Sequence, residues 1–110
     1  MTTIADYSNL SVRLPDALYG AAQALATRQR RLARDVHTDS VRTLLAARKR
    51  GEEVRYLPST KDAKQRTIWL EKPVCEEAKA AAEEDRVSKT VLFLTALTLF
   101  CHHEGALVAA

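Results

Sequence analysis

Two short alternating runs, each closed by a proline, constrain this chain more than anything else in it. In Asn9-Leu10-Ser11-Val12-Arg13-Leu14-Pro15-Asp16, the apolar Leu10, Val12 and Leu14 alternate with Asn9, Ser11 and Arg13. A period of two makes a strand with one apolar and one polar face. Pro15 ends it, because proline has no N–H to give to a ladder. Its fixed φ suits the first turn of a helix, where Asp16 meets the positive end of the dipole. The pattern returns in Thr67-Ile68-Trp69-Leu70-Glu71-Lys72-Pro73. A strand this short is not stable alone and must find a partner.

Helical spacing follows each run. A helix is predicted from about Asp16 to Arg30, with Leu18, Ala21, Ala22 and Leu25 on one face. A second runs from Leu32 or Ala33 to Lys49. Its buried stripe is Val36, Ser40, Val41, Leu44 and Leu45, and Gly51 is placed to cap its C-terminus. After the second run come a helix from Val74 to about Asp85 and another from Lys89 to about His102, capped by Ser88 and ending near Gly105. In that last helix Val91, Leu92, Phe93, Leu94, Ala96, Leu97, Leu99 and Phe100 surround the axis, so it must be buried on several sides.

The fold class is therefore mainly α with a short antiparallel β-ribbon, in an internal repeat of strand, helix and helix. The first repeat occupies residues 1–50, with a loose arm at 1–8. Residues 51–65 have no period, carry Pro58-Ser59 and read as a linker that Tyr56 and Leu57 could anchor. The second repeat occupies residues 66–110. Between its proline and its second helix, the first copy carries about one extra helical turn.

With 110 residues and 46% hydrophobic content, the chain is one small domain or two very small ones, not a disordered segment. Its net charge of +3 hides an asymmetry: residues 1–50 carry +5, residues 51–66 carry +1 and residues 67–110 carry −3. A basic half joined to an acidic half suggests that only one half meets a polyanion, although two ordinary solvated surfaces would give the same figures. Cys75 and Cys101 are too few for a disulfide scaffold, and nothing upstream resembles a signal peptide. The apolar run Val91 to Cys101 is too short to span a bilayer. A reduced cytoplasmic protein without a membrane partner is the simplest reading.

Both copies resemble the ribbon-helix-helix (MetJ/Arc) fold of bacterial, phage and plasmid repressors. The first is similar in Leu10 to Pro15 and the helix after it. The second is similar in Ala82-Glu83-Glu84-Asp85, in Val87-Ser88-Lys89-Thr90 and in the apolar helix that follows. A minority of the family fuses two copies in one polypeptide, some near plasmid or T-DNA transfer genes, and this chain resembles that arrangement. It departs from the pattern at Ala33, where the family usually has a serine or threonine cap, and at Trp69 and Glu71 of the second strand.

The resemblance implies that two antiparallel strands lie in the major groove of DNA, with outward side chains reading base edges and the N-terminus of each second helix gripping a phosphate. Carried onto this sequence, the base readers are Asn9, Ser11 and Arg13 in the first copy and Thr67 and Trp69 in the second. The phosphate-binding positions are Arg31, Ala33 and Arg34, then Ser88 and Lys89. The chemistry fits, since Arg bonds guanine bidentately, Asn does the same with adenine, and Ser takes either role. Glu71, also outward, accepts from cytosine but is repelled by phosphate. Trp69 offers an indole N–H and an apolar ring, to a thymine methyl, a sugar or a protein interface. One alternating strand alone would pass for a solvated face. The repeat and the basic run Arg28, Arg30, Arg31, Arg34 favour the reader.

Two strand pairings are open. The stretch from Arg50 to Thr67 spans roughly 50 Å when extended, enough for a ribbon within one chain or between two. Tethering favours pairing within the chain, with two chains then reading two half-sites. The charge split favours like copies pairing between chains. Either way the expected assembly is a homodimer on double-stranded DNA.

Other constellations are weak. Cys101-His102-His103-Glu104 invites a metal, but neighbours on a helix diverge by about 100° and do not readily share one ion. Cys75 reads as a small core residue, and Glu76/Glu77 and Glu83/Glu84/Asp85 as solvated helix faces. With no phosphate loop, triad or metal signature, neither an enzyme, a cofactor nor a small-molecule substrate is expected. The function implied is a sequence-specific repressor or autoregulator, or alternatively an accessory DNA-binding protein of plasmid conjugation or T-DNA transfer. A third reading is an antitoxin-like interaction module. Such antitoxins usually carry a long toxin-binding tail, whereas only Gly105 to Ala110 follows the last helix here.

Overall fold

The computed structural model describes residues 6–105, so residues 1–5 of the expected arm and 106–110 of the tail lie outside the described residues. The elements run β1 (Tyr7–Leu14), α1 (Asp16–Arg28), α2 (Ala33–Lys49), β2 (Lys64–Glu71), α3 (Lys72–Asp85) and α4 (Lys89–His103). The chain is mainly helical, and the order strand, helix, helix occurs twice.

β1 and β2 pair with each other in one antiparallel two-stranded sheet, from Tyr7↔Glu71 at one end to Leu14↔Lys64 at the other. The ribbon thus forms within one chain. Leu10, Val12, Leu14, Ile68 and Leu70 are buried beneath it, and Asn9, Ser11, Arg13, Gln65, Thr67 and Trp69 are exposed above it. A one-residue slip of either strand would exchange these sets, so burial fixes the register. Both strands run longer than their alternation. β1 begins at Tyr7, inside the expected arm, and β2 at Lys64, inside the expected 51–65 linker. Lys64 and Gln65 lack an apolar rhythm of their own and join the ladder because Leu14 and Arg13 stand opposite.

The two halves interlock. The N-terminal region of α4 closes the free edge of β1, where the Arg13 N–H donates to Thr90 Oγ1 at 3.2 Å. α2 does the same for β2, where the Glu71 N–H donates to Thr38 Oγ1 at 3.2 Å. Each second helix therefore covers the strand of the other half, and α2 and α4 pack against each other beneath the ribbon. One cluster of buried residues draws on all six elements, so the halves do not have separate cores. α4 is the axis of that core. Its Leu92, Phe93, Leu94, Ala96, Leu97 and Cys101 are buried, while Leu99 stays 52% exposed. A single chain thus covers most of the all-round apolar helix.

Both helix–helix corners use the same closure. Arg30 (φ 55°) and Arg86 (φ 57°) are left-handed, and the next N–H reaches back, Arg31 to the Ala26 carbonyl at 2.8 Å and Val87 to the Ala82 carbonyl at 2.9 Å. Such a turn satisfies orphan carbonyls at a cost of about 1–2 kcal/mol for a residue with a Cβ. α1 accordingly stops at Arg28, short of the expected Arg30. α2 starts eighteen residues after Pro15 and α4 sixteen after Pro73, so the first half carries two extra residues and not a whole turn. Gly51 (φ 80°) closes α2 in the same way, with the Glu52 N–H on the Ala47 carbonyl at 3.1 Å. Ser88 caps α4, its Oγ accepting from the Val91 N–H at 3.1 Å. The matching cap of α2 is Leu32, which offers no side-chain acceptor.

The segment between the halves is a strap. The Tyr56 hydroxyl donates to Asp85, which Arg48 also grips with two N–H groups at 2.9 and 2.8 Å. The Leu57 N–H donates to Thr95 Oγ1 at 2.8 Å. Burial and the Asp85 hydrogen bond push the Tyr56 hydroxyl up to about 12. Hydrogen bonds from Arg48 and Tyr56 hold the Asp85 carboxyl below its usual range. In α2, His37 is buried edge-on to Phe93 at 5.4 Å, and its Nε2 has no hydrogen-bond partner among the described residues. Burial pulls its pKa down to about 4, so it sits neutral in the core.

Candidate functional site

The outer face of the ribbon gathers the expected base readers. Asn9 faces Trp69, Ser11 faces Thr67, and Arg13 faces Gln65 across the ladder. All six side chains are exposed, on one surface built from residues of both halves. Cross-strand contacts order them: Gln65 Nε2 donates to Ser11 Oγ at 2.8 Å, and Arg13 Nη2 donates to the Ala63 carbonyl at 3.0 Å. The Arg13 guanidinium keeps further N–H groups for a ligand. Trp69, 46% exposed, is a large apolar ring among groups that donate and accept hydrogen bonds.

The two ends of the face differ. At the Arg13 end, on the side of β2 that Ile68 and Leu70 share, lie Lys64 and Arg66, both paired with Asp16, with Lys64 Nζ at 3.0 Å from its carboxylate. The hydrogen bond from Lys64 leads in holding the Asp16 carboxyl below its usual range. Arg66 also stacks on the Tyr19 ring at 4.2 Å. At the other end Glu71, expected to face outward, is half-buried and bound to Arg42. The Tyr7 hydroxyl there donates to Asp35 at 3.0 Å. Burial first, and then the Asp35 contact, raise the pKa of that hydroxyl.

Helix N-termini stand beside both ends. Arg34, in the first turn of α2, lies over the Tyr7 ring at 4.2 Å, which brings the Ala33–Arg34 backbone to the Tyr7 end of the ribbon. At the start of α4, Ser88, Lys89 and Thr90 line a shallow hollow shared with Ser11. Four of the five expected phosphate positions, Ala33, Arg34, Ser88 and Lys89, thus flank the outer face of the ribbon. Arg31 does not join them as a free cation, because its guanidinium is held by Asp39 and by Gln29 Oε1 at 3.2 Å.

Gln65 and Tyr7 are members of this face that sequence pattern missed. The only signal for them was the register, since each lies an even number of residues from a recognised outward position. Elsewhere, a hollow between α2, α4 and the strap is lined by Leu44, Val54, Leu99, Phe100 and His103. Cys75 is a buried core residue, Cys101 is buried with its thiol pKa raised by that burial, and His102 and His103 are exposed. Among the described residues, no three His, Cys, Asp or Glu side chains gather as a metal set, and no helix is long and apolar enough to cross a membrane.

No family model matches the chain, and no curated protein or solved structure matches it either.

Proposed function

We propose that the chain is a sequence-specific double-stranded DNA-binding protein composed of two ribbon-helix-helix repeats, acting as a repressor or autoregulator. The observation that carries this reading is the outer ribbon face, where Asn9, Ser11, Arg13, Gln65, Thr67 and Trp69 are exposed together between two helix N-termini. A two-stranded ribbon fits the major groove, which is about 12 Å wide. Arg13 reads guanine, Asn9 and Gln65 read adenine, and Ser11 and Thr67 adapt to either partner. Trp69 meets a thymine methyl. Backbone N–H groups at Ala33 and Arg34, and at Ser88 and Lys89, hold phosphates on either side, with the Arg34 guanidinium in support. Arg31, tied to Asp39, serves the helix corner instead.

A second chain on a neighbouring half-site completes the operator, and occupation of a promoter there excludes polymerase. The test is selection from a pool of random duplexes by the purified full chain, followed by footprinting. Enrichment of a defined motif protected in the major groove is the expected result. Absence of any enriched duplex would end the proposal.

A further inference from the structure

We propose that one chain reads a non-palindromic stretch of duplex in a single orientation, set by the Arg13–Gln65 end of its ribbon; this rests on the DNA-binding reading above. Aligning the two halves on Pro15 and Pro73 makes Leu10 the counterpart of Ile68, Asn9 of Thr67, Ser11 of Trp69 and Arg13 of Glu71. The ladder pairs Leu10 with Ile68, its own counterpart. The ribbon backbone therefore has an approximate two-fold axis through that pair. Identical strands on such an axis would present the same chemistry to both sides and match a self-complementary site.

The side chains break this symmetry at each step outward. Next to the axis stand Asn9 with Trp69 on one side and Ser11 with Thr67 on the other. Farther out, Arg13 and Gln65 occupy one end, and Tyr7 and Glu71 the other. The Arg13 end offers donors to guanine and adenine. At the opposite end Glu71 is bound by Arg42 and the Tyr7 hydroxyl by Asp35, so both are engaged by the protein's own side chains. Reversing the protein on its site would remove a bidentate contact and press a carboxylate toward base acceptors. Discrimination between the orientations is expected at roughly ten- to a hundredfold, the worth of one good bidentate pair.

The experiment starts from the duplexes that the full chain selects, trimmed to the shortest one occupied by a single chain as weighed by native mass spectrometry. The expected unit is not self-complementary and requires a guanine at one end, a requirement lost in Arg13→Ala and kept in Glu71→Gln. A cysteine at the exposed turn position 61 (Lys61→Cys) then carries an iron chelate beside the Arg13 end, since Cys75 and Cys101 are buried. Strand cleavage is expected at the guanine end alone. The variant Q65Y/T67N/W69S/E71R, which gives both strands the same outward residues, is expected to shift selection toward self-complementary units. A self-complementary one-chain unit for the wild-type protein, or equal cleavage at both ends, would overturn the inference and leave DNA binding intact. Failure to enrich any duplex would overturn both.

Discussion

Ser11 of β1 stands directly opposite Thr67 of β2, so residues from the two halves of one polypeptide meet in the middle of the exposed ribbon. Opposed residues of an antiparallel pair lie about 4.5–5.5 Å apart at Cα, within the range a disulfide accepts. S11C/T67C, made in a Cys75→Ala/Cys101→Ala background, is expected to oxidise to a monomer that migrates faster on a non-reducing gel. A covalent dimer as the main product would contradict the pairing.

Arg13 reaches past the ladder to the Ala63 carbonyl with one nitrogen and keeps the rest of its fork exposed. In the proposed complex that fork spans the O6 and N7 of guanine. Arg13→Ala is expected to cost about 1–3 kcal/mol on the selected site and to relax preference at one base pair. Competition binding against a panel of single-base variants checks both parts.

Arg34 makes a different contribution. It is stacked on Tyr7 beside the N-terminus of α2, and in the proposed complex it meets the DNA backbone and not a base. Arg34→Ala should weaken binding to specific and random duplexes alike. It should also flatten the plot of log affinity against log salt by about one unit. Titrations at several salt concentrations separate this from the Arg13 effect.

His37 predicts how stability depends on pH. Burial lowers its folded pKa from the ordinary 6.5 to about 4. Below the ordinary value the unfolded chain binds a proton that the folded chain refuses, so stability falls as acid is added through that window. The loss should total about 3 kcal/mol by the bottom of the window, on the scale of about 1.4 kcal/mol per pKa unit. His37→Leu should flatten this part of the profile, measured as the difference between wild-type and variant in urea unfolding at a series of pH values.

The strap offers a structural control. Tyr56→Phe removes one hydroxyl that donates to Asp85 and leaves the ring in place. A loss of about 1 kcal/mol in unfolding free energy is expected, with DNA binding unchanged. Thermal unfolding and duplex titration of the same sample test the two halves of that statement.

Much of this architecture was legible in the residues. The alternation of Leu10, Val12 and Leu14, its echo in Ile68 and Leu70, and the two prolines placed the ribbon, because burial on one face leaves a period of two. The stripe of α2 was readable for the same reason at helical spacing, and Ser88 and Gly51 announced their caps. What the sequence did not show were features set by partners distant in the chain. Gln65 becomes a strand residue only because Arg13 stands opposite. Arg31 looks like a free cation until Asp39 captures it. His37 is polar in any pattern, and only the closing of α4 over it, through Phe93, makes it part of the core. The pairing of β1 with β2 was likewise open from sequence, since the intervening stretch is long enough for either arrangement.

Joining both strands in one polypeptide also removes mass action from the making of the ribbon. A ribbon shared between separate subunits falls apart on dilution, and its unfolding midpoint drifts with protein concentration. Here β1 finds β2 at a local concentration that no dilution alters, so a few molecules in a cell would each retain an assembled ribbon. The same tether leaves each strand free to change its outward residues without the other, a freedom that a gene encoding one repeat does not have.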